Sequence, residues 1–360
     1  MKIGIITFHF AHNYGAMLQA YALQETLCTM GHNAEIVDYQ PAYHIRKFPP
    51  HIKWNSCWSF SPKTFLHNII KKVLSYLYYD KRYANHIKFM NDHMRLTPCN
   101  PGFDGSNFDA IIVGSDQIWN KYLTGNDYDG MYYGRYFKCP VISYAASNQA
   151  LTLSEEEQNT FKTLLKGIDH IGVREVKLRH LLQPLTNKKI SVTLDPTLIS
   201  PKSVYDDFNN PLDAPKKYVL VYEIGVHNKV VEMAKSYANK IGAELVLLTG
   251  TVSYNTLHGF DLTAGPEQFV GYIKNAECIF TTSFHGTALS IINERQFYTI
   301  RQNTAGDIRM ESLLQQLELM DRIIPMEGTP EVSVIDYCKV NVKLQELQKN
   351  SISFIENALK

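Results

Sequence analysis

Short apolar runs alternate with helical segments along almost the whole chain, and this alternation restricts the possible fold more than any other feature. The apolar runs of the first half are residues 3–7, 34–39, 110–113, 141–144, 171–173 and 190–194, with helices predicted over 16–30 and 154–165. Those of the second half are residues 218–223, 244–248, 278–281 and 297–300, with helices predicted over 229–241, 266–275 and 287–293. Such alternation predicts parallel sheets covered by helices on both faces.

The length of 360 residues exceeds what one hydrophobic core usually supports, and it therefore predicts two domains. We expect an N-terminal Rossmann-like domain over residues 1–200 and a C-terminal one over 201–335, with the proline-bounded stretch 211–217 in a loop near the boundary. The amphipathic segment 336–360 is expected to form a helix that packs back on the first domain. The predicted fold class is α/β, with two Rossmann-like domains facing across a cleft and ligands at the carboxyl ends of the strands.

Composition argues against several classes of protein. The formal net charge is +1, so no overall field favours a nucleic acid partner. The six cysteines contain no Cys-x-x-Cys pair, which argues against a zinc ribbon or a thioredoxin-type site. No apolar run reaches about 18 residues and no secretory signal is present, so we expect no transmembrane segment and a cytoplasmic location.

Positive charge is concentrated in residues 41–100, where ten Lys or Arg residues face only two Asp residues. Within this basic insertion, Phe65, Ile69, Val73 and Leu77 recur every four residues and predict a helix. One interpretation is a helix that packs this stripe on the domain and leaves its lysines in solvent. The alternative is a basic surface for an anionic acceptor or for a membrane-bound lipid carrier, with peripheral contact to the inner face of the membrane.

The loop after the first predicted strand contains polar side chains and a glycine whose backbone a ligand could approach. Asn13, Tyr14 and Gly15 open the following helix, where free backbone amides are expected to meet an anion or a hydroxyl group. The loop is not G-x-G-x-x-G, so the dinucleotide fingerprint is missing. His9 and His12 have the spacing of metal ligands but lack an evident third ligand, so no metal site is predicted.

A second polar loop follows the strand at 110–113. Ser115, Asp116 and Gln117 lie there, and Asp116 is placed either to orient or deprotonate an acceptor hydroxyl or to cap a helix. Trp119 is a candidate either to stack on a sugar ring or to fill core space. Further along, residues 127–129 imitate the Asp-x-Asp of metal-dependent sugar transferases, but their glycine- and asparagine-rich surroundings indicate a solvated turn.

Two later loops carry cationic groups. Arg174 follows a short apolar run and is placed either to bind a carboxylate or phosphate or to pair with Glu175. Ser283, His285, Gly286 and Thr287 follow the strand at 278–281, where a helix start, a glycine and an imidazole suit the binding of a phosphate and a proton transfer. Arg309 precedes a predicted helix over 310–317, and it either reaches the cleft or lies on the surface.

Taken in order, these stretches resemble the polysaccharide pyruvyl transferase family. The similar pieces are residues 7–16, 18–23, 114–120, 143–147, 173–175, 194–197 and 283–287. The resemblance implies a glycosyltransferase-B-like fold and transfer of a pyruvyl group from phosphoenolpyruvate to a sugar as a ketal. It favours His285 and Arg174, with Arg309 as a third group, at the donor site. The basic insertion departs from the plainest family pattern and leaves the acceptor open.

The resemblance and the loops together predict roles for the polar residues. His285 and Asp116 are the expected acid and base; Arg174, Ser283, Gly286, Thr287 and Arg309 are expected at the donor, and Asn13, Tyr14, Gly15, Ser115, Gln117 and Trp119 at the acceptor. No cofactor or metal is expected beside phosphoenolpyruvate, and the acceptor is expected to be a sugar or polysaccharide precursor, free or on a lipid carrier. A nucleotide-sugar glycosyltransferase and a non-catalytic carbohydrate- or phosphate-binding protein remain alternatives.

Overall fold

The computed structural model of the protein describes residues 1–47, 62–209, 214–225, 227–250 and 260–360. A seven-stranded parallel sheet forms the centre of the N-terminal domain, in the order β3-β2-β1-β4-β5-β6-β7. Its strands are β1 (Lys2–Ile6), β2 (Asn33–Asp38), β3 (Leu96–Pro98), β4 (Ala110–Asp116), β5 (Val141–Ala146), β6 (His170–Val173) and β7 (Ile190–Val192). Strand order reverses between β1 and β4, which is the place where ligands bind in sheets of this kind.

The described residues of this domain form six α-helices, three of which begin at a capping side chain. They are α1 (Tyr14–Thr29), α2 (Ala42–Lys47), α3 (Pro62–His93), α4 (Glu155–Leu164), α5 (Val176–Leu182) and α6 (Pro196–Ile199). Asn13 accepts the first amides of α1, and Ser154 and Glu157 form a reciprocal capping box at α4. Asp195 caps α6.

The C-terminal domain repeats the same architecture around a six-stranded parallel sheet, in the order β10-β9-β8-β11-β12-β13. Its strands are β8 (Tyr218–Glu223), β9 (Glu244–Thr249), β10 (Phe260–Asp261), β11 (Cys278–Thr281), β12 (Gln296–Arg301) and β13 (Ile323–Pro325). Its helices are α7 (Asn228–Ile241), α8 (Pro266–Asn275), α9 (Phe284–Ile292) and α10 (Asp307–Gln316). The prediction of two Rossmann-like α/β domains facing across a cleft is confirmed.

The last helix, α11 (Tyr337–Ala358), contacts both domains. On the N-terminal side, Ser351 Oγ accepts a 2.9 Å hydrogen bond from the amide of Leu194, and Gln348 donates to the carbonyl of Leu198. On the C-terminal side, the Tyr337 hydroxyl donates to the carbonyl of Arg295. The helix therefore packs on the first domain and also ties it to the second.

Helix α3 differs from the interpretation in which its apolar stripe packs on the domain. Val73 and Leu77 are 54% and 58% exposed, and Lys81 and Lys88 continue the same outward face. The buried face comes later in the helix and includes Phe89, which is 1% exposed. Spacing alone cannot tell which side of a helix meets the domain, because an outward stripe has the same period as an inward one.

Parts of some predicted segments lie outside the described residues. These are residues 48–61 of the basic insertion and 211–213 of the predicted boundary loop, together with the side chain of Phe65. In the described part of the chain, no helix combines the length and apolar character that crossing a membrane requires.

Candidate active site

A cavity of about 440 Å³ opens between the two domains at the carboxyl ends of their strands. The N-terminal domain lines it mainly with residues that follow β1 and β4, and the C-terminal domain with residues that follow β8, β11 and β12. The polar residues on its wall are Asn13, His44, Asp116, Gln117, Gln149, Thr282, Ser283, His285, Gln302, Thr304 and Arg309. The predicted acid, the predicted base and one predicted cation thus share one cavity.

His285 lies in the first turn of α9, which begins at Phe284 and so starts three residues before the predicted position 287, because Ser283 is the capping residue. The imidazole is enclosed on two sides. Its Nε2 lies 3.6 Å from Asp195 Oδ2, and a β-carbon at Gly15 would lie only 2.0 Å from its Nδ1. Gly15 therefore allows the ring to pack directly on the backbone of α1, whereas any side chain at this position would displace it.

Asp195 is the most connected carboxylate of the site. Its Oδ2 is 2.6 Å from Arg174 Nη2 and accepts a 3.1 Å hydrogen bond from the Ser115 hydroxyl, while Oδ1 accepts from the amide and hydroxyl of Thr197. Burial would raise the pKa of Asp195, but the Arg174 guanidinium and then His285 outweigh burial and hold this pKa below its ordinary value. Asp195 is therefore an ionised carboxylate in the interior.

Arg174 lies next to the cavity wall, although it is not one of the lining residues. Its guanidinium is 4.7 Å from the centre of the Phe284 ring, Nη2 donates to Ser115 Oγ at 2.5 Å, and Nη1 is 3.9 Å from Asp116 Oδ1. Arg174 Nη1 and Nε are buried and make no hydrogen bond within the described residues. Unsatisfied buried donors beside a cavity indicate a place where an anion or water binds.

Arg309 brings a second guanidinium to the same ring from the C-terminal domain. It is the third residue of α10, which begins at Asp307 and so includes it, and it lines the cavity 6.0 Å from the Phe284 ring centre. Burial lowers the pKa of Arg309, and the neighbouring Arg174 lowers it further. Two like charges held close together favour the binding of an anion that relieves their repulsion.

Asp116 ends β4 with its backbone in the left-handed region, at φ 71°. A residue other than glycine is uncommon in this conformation, and such residues are concentrated at functional sites. Its side chain reaches the cavity from the domain opposite His285. Close by, Glu175 accepts a 2.7 Å hydrogen bond from Ser147, and burial raises its pKa above the ordinary value.

The family model described as Polysaccharide pyruvyl transferase matches residues 13–304, which is most of the chain. The chain belongs to the polysaccharide pyruvyl transferase family. It is therefore an enzyme of the transferase class.

Solved structures similar to this family member include three of low sequence identity, and the sequence matches no curated protein. UGT89C1 from Arabidopsis thaliana complexed with UDP-L-rhamnose has a TM-score of 0.46 and 10% identity, over 99% of this chain and 98% of that chain. A putative UDP-N-acetylglucosamine 2-epimerase from Listeria monocytogenes has a TM-score of 0.45 and 11% identity, over 99% of this chain and 90% of that chain. The E. coli heptosyltransferase WaaC with ADP has a TM-score of 0.41 and 11% identity, over 98% of this chain and 100% of that chain. The two parallel sheets themselves define the fold.

Several residues predicted to contact the acceptor in this pyruvyl transferase family member are structural instead. Tyr14 is buried, stacks on Phe269 and donates a 2.9 Å hydrogen bond to the carbonyl of Ala264. Trp119 is also buried, stacks on Tyr133 and donates to the carbonyl of Tyr132, so it fills the core and does not face a sugar.

The remaining residues predicted at the acceptor lie around the cavity in different ways. Asn13 and Gln117 line it. The amides of Gly15 and Ala16 are not free for a ligand, because both donate to Asn13 Oδ1. Ser115 is buried beneath the wall, where it joins Arg174 to Asp195.

At the predicted donor site, Ser283 lines the cavity but two of its neighbours do not. A β-carbon at Gly286 would lie 2.4 Å from Thr281 Oγ1, so this glycine permits close packing on β11. Thr287 is fully buried and its hydroxyl pairs with that of Thr299 at 2.7 Å. Thr287 is the fourth residue of α9, and its contact with Thr299 on β12 directs its side chain toward the sheet.

The other predictions concern metal sites. Asp129 accepts hydrogen bonds from the hydroxyls of Tyr39 and Tyr43 and caps a short turn, so the Asp-x-Asp imitation is structural. His9 is buried and pairs with Asp38 at 2.9 Å. Over the described ranges, no three His, Cys, Asp or Glu side chains form a group able to hold a metal ion.

Sequence reasoning missed Asp195 and Phe284 as parts of the site. Asp195 lies within one of the stretches that resemble the family, but its position before Pro196 indicates only the end of a strand. Phe284 lies between Ser283 and His285, and its ring meets both guanidinium groups. Only the spatial arrangement reveals these contacts, because Arg174, Asp195 and His285 are far apart in sequence.

Proposed function

We propose that this family member transfers the pyruvyl group of phosphoenolpyruvate to two hydroxyls of a sugar and forms a ketal. The observation that carries the proposal is that His285, Asp116 and Arg309 line one interdomain cavity. Phosphoenolpyruvate carries a phosphate and a carboxylate, so it requires cationic donors such as Arg309, supported by the neighbouring charge of Arg174. A volume of about 440 Å³ lies within the range of small-molecule sites and leaves room beside a donor of this size.

The proposed chemistry balances without an added oxidant or reductant. The methylene carbon of the donor takes a proton from His285, and a sugar hydroxyl oxygen bonds to the adjacent carbon. The bond between this carbon and the phosphate oxygen then breaks, and the second hydroxyl closes the ketal. Of the two protons that the hydroxyls lose, one replaces the proton given by His285 and the other leaves with inorganic phosphate. Asp116 orients or deprotonates the attacking hydroxyl.

No metal or organic cofactor takes part in the proposed reaction. Arg309 and Arg174 supply the positive charge that neutralises the donor, and His285 and Asp116 move the protons. The acceptor is proposed to be a cell-surface polysaccharide or its precursor. The exposed face of α3 supports a lipid-linked precursor, because Val73 and Leu77 lie beside Lys81 and Lys88 on a helix with six basic and two acidic residues. This version of the proposal places the enzyme at the inner face of the membrane.

The test is to incubate the purified protein with phosphoenolpyruvate, candidate glycans and a chelator, and to measure released phosphate and the mass of the glycan. A pyruvylated glycan together with equimolar phosphate supports the proposal. Consumption of a nucleotide sugar in place of phosphoenolpyruvate would identify a glycosyltransferase. Donor binding without phosphate release from any glycan would identify a binding protein.

His285→Ala is expected to lower turnover by on the order of 100-fold or more, because one acid–base group usually contributes that much. His9→Ala is the matched control, since His9 is a buried imidazole paired with Asp38 away from the cavity wall. Circular dichroism verifies that both variants are folded. Near-normal turnover of folded His285→Ala would remove this imidazole from the reaction.

A further inference from the structure

The carboxylate of Asp195 lies where the two domains meet in the site. Asp195 follows β7 in the N-terminal domain, whereas His285 belongs to α9 of the C-terminal domain, and the two side chains are 0% and 8% exposed. Their atoms Oδ2 and Nε2 are 3.6 Å apart, which is a charge contact slightly longer than a hydrogen bond. The contact joins residues that are 90 positions apart in the sequence.

The two oxygens of this carboxylate have separate partners. Among the described residues, Oδ1 accepts hydrogen bonds from Thr197 alone, through the amide at 3.0 Å and the hydroxyl at 2.7 Å, and so caps α6. Oδ2 is held by Arg174 at 2.6 Å and by Ser115 at 3.1 Å, and it is the oxygen that faces His285. A helix cap needs Oδ1 alone, so capping does not account for the second set of contacts.

We propose that Asp195 is a positioning residue that orients His285 for proton transfer, with Arg174 and Ser115 as its anchors. This inference rests on the proposed function. A carboxylate facing Nε2 keeps the proton on that nitrogen and stabilises the imidazolium, as in other carboxylate–histidine pairs. The proton exchanged with the donor is then the one on Nδ1, the ring nitrogen that does not face Asp195.

The charged surroundings of Asp195 favour this role over a purely structural ion pair. The groups that face it are Arg174, His285 and, at longer range, Arg309, Tyr144 and Tyr205. Of these, only His285 belongs to the proposed proton-transfer step. A buried ion pair between Arg174 and Asp195 would be complete without the imidazole, which nevertheless lies on the same oxygen as the guanidinium.

Asp195→Asn tests the role, since the amide keeps the size of the side chain and an oxygen for Thr197 but removes the negative charge. We expect turnover to fall by on the order of 100-fold with a small change in the KM for phosphoenolpyruvate. The limb of the pH–rate profile that requires a protonated group should move to lower pH, because the imidazolium loses its counter-charge. Asp38→Asn is the matched control, because Asp38 pairs with His9 outside the cavity wall, and it should stay within about twofold of the wild type.

A second measurement is independent of the reaction. ¹⁵N-histidine labelling, with His285→Gln to assign the resonances, reports the tautomer and titration of His285 in the wild type and in Asp195→Asn. Altered His285 signals in the folded variant support the inference even if the wild type forms no product from phosphoenolpyruvate, a result that would count against the proposed function alone. Unchanged His285 signals, or an unchanged pH profile in an active variant, would overturn the inference.

Discussion

At the scale of single residues, the position of the His285 imidazole requires that residue 15 of the other domain has no side chain. The ideal β-carbon position of Gly15 lies 2.0 Å from Nδ1 and 2.3 Å from Cγ of His285, well inside the contact distance of real atoms. Gly15 is the second residue of α1 and is buried, so its backbone has little freedom to move away. Gly15 thus makes room for the His285 imidazole of the other domain, which is a different role from the predicted contact with an acceptor.

Gly15→Ala is therefore expected to displace His285 and to lower turnover by about tenfold or more, the scale of a modest misplacement of a catalytic group. Alanine is itself favourable in a helix, so the variant should fold. Gly31→Ala is the control, because a β-carbon there meets no atom within 4 Å although its φ of 87° strains the backbone. Steady-state kinetics and circular dichroism measure both variants; equal turnover in the two would show that the close approach does not matter.

At the scale of secondary structure, the sequence predicts the strands and caps well because these depend on local patterns. Ser154 and Glu157 form the predicted capping box. The orientation of a helix is harder to predict from sequence, since a period of about four residues identifies one face of the helix but not what that face contacts. For this reason the stripe of Val73 and Leu77 allows two interpretations and proves to be exposed, while Thr287, predicted in the site, is buried.

The exposed face of α3 leads to a prediction about membranes. Val73→Asp/Leu77→Asp should weaken binding to vesicles that contain anionic phospholipid by at least about tenfold, because each apolar side chain buried in lipid contributes roughly 1.5–3 kcal/mol. The control is Val342→Asp, which changes another exposed valine, 67% exposed on α11. Vesicle sedimentation measures the binding. Equal binding of both variants, or no binding by the wild type, would rule out the proposed membrane contact.

At the scale of the whole molecule, the two domains share one core. A continuous cluster of buried residues includes Leu18 and Leu198 from the first domain and Phe269 and Leu289 from the second. The sequence predicts each domain separately, but it does not disclose this joint core or the contact of Asp195 with His285. Both depend on side chains that are distant in the chain and meet only when the domains are docked.

Because the core is continuous, we expect the domains to unfold together in one transition. All three tryptophans occur in the first 120 residues, so tryptophan fluorescence reports that part of the chain, whereas far-UV circular dichroism reports both domains. The two signals should give the same urea midpoint.

Tyr14→Ala should lower the free energy of unfolding by about 3 kcal/mol, because it empties a buried aromatic position between the domains. Both urea midpoints should therefore fall together. Tyr237→Ala is a matched control within the C-terminal domain, where Tyr237 is buried against Phe280. If the domains share one transition, this variant must also shift the tryptophan signal, although no tryptophan lies in its domain. A shift of the circular dichroism signal alone would show that the domains unfold separately and that the interdomain site is held by weaker contacts than the shared core indicates.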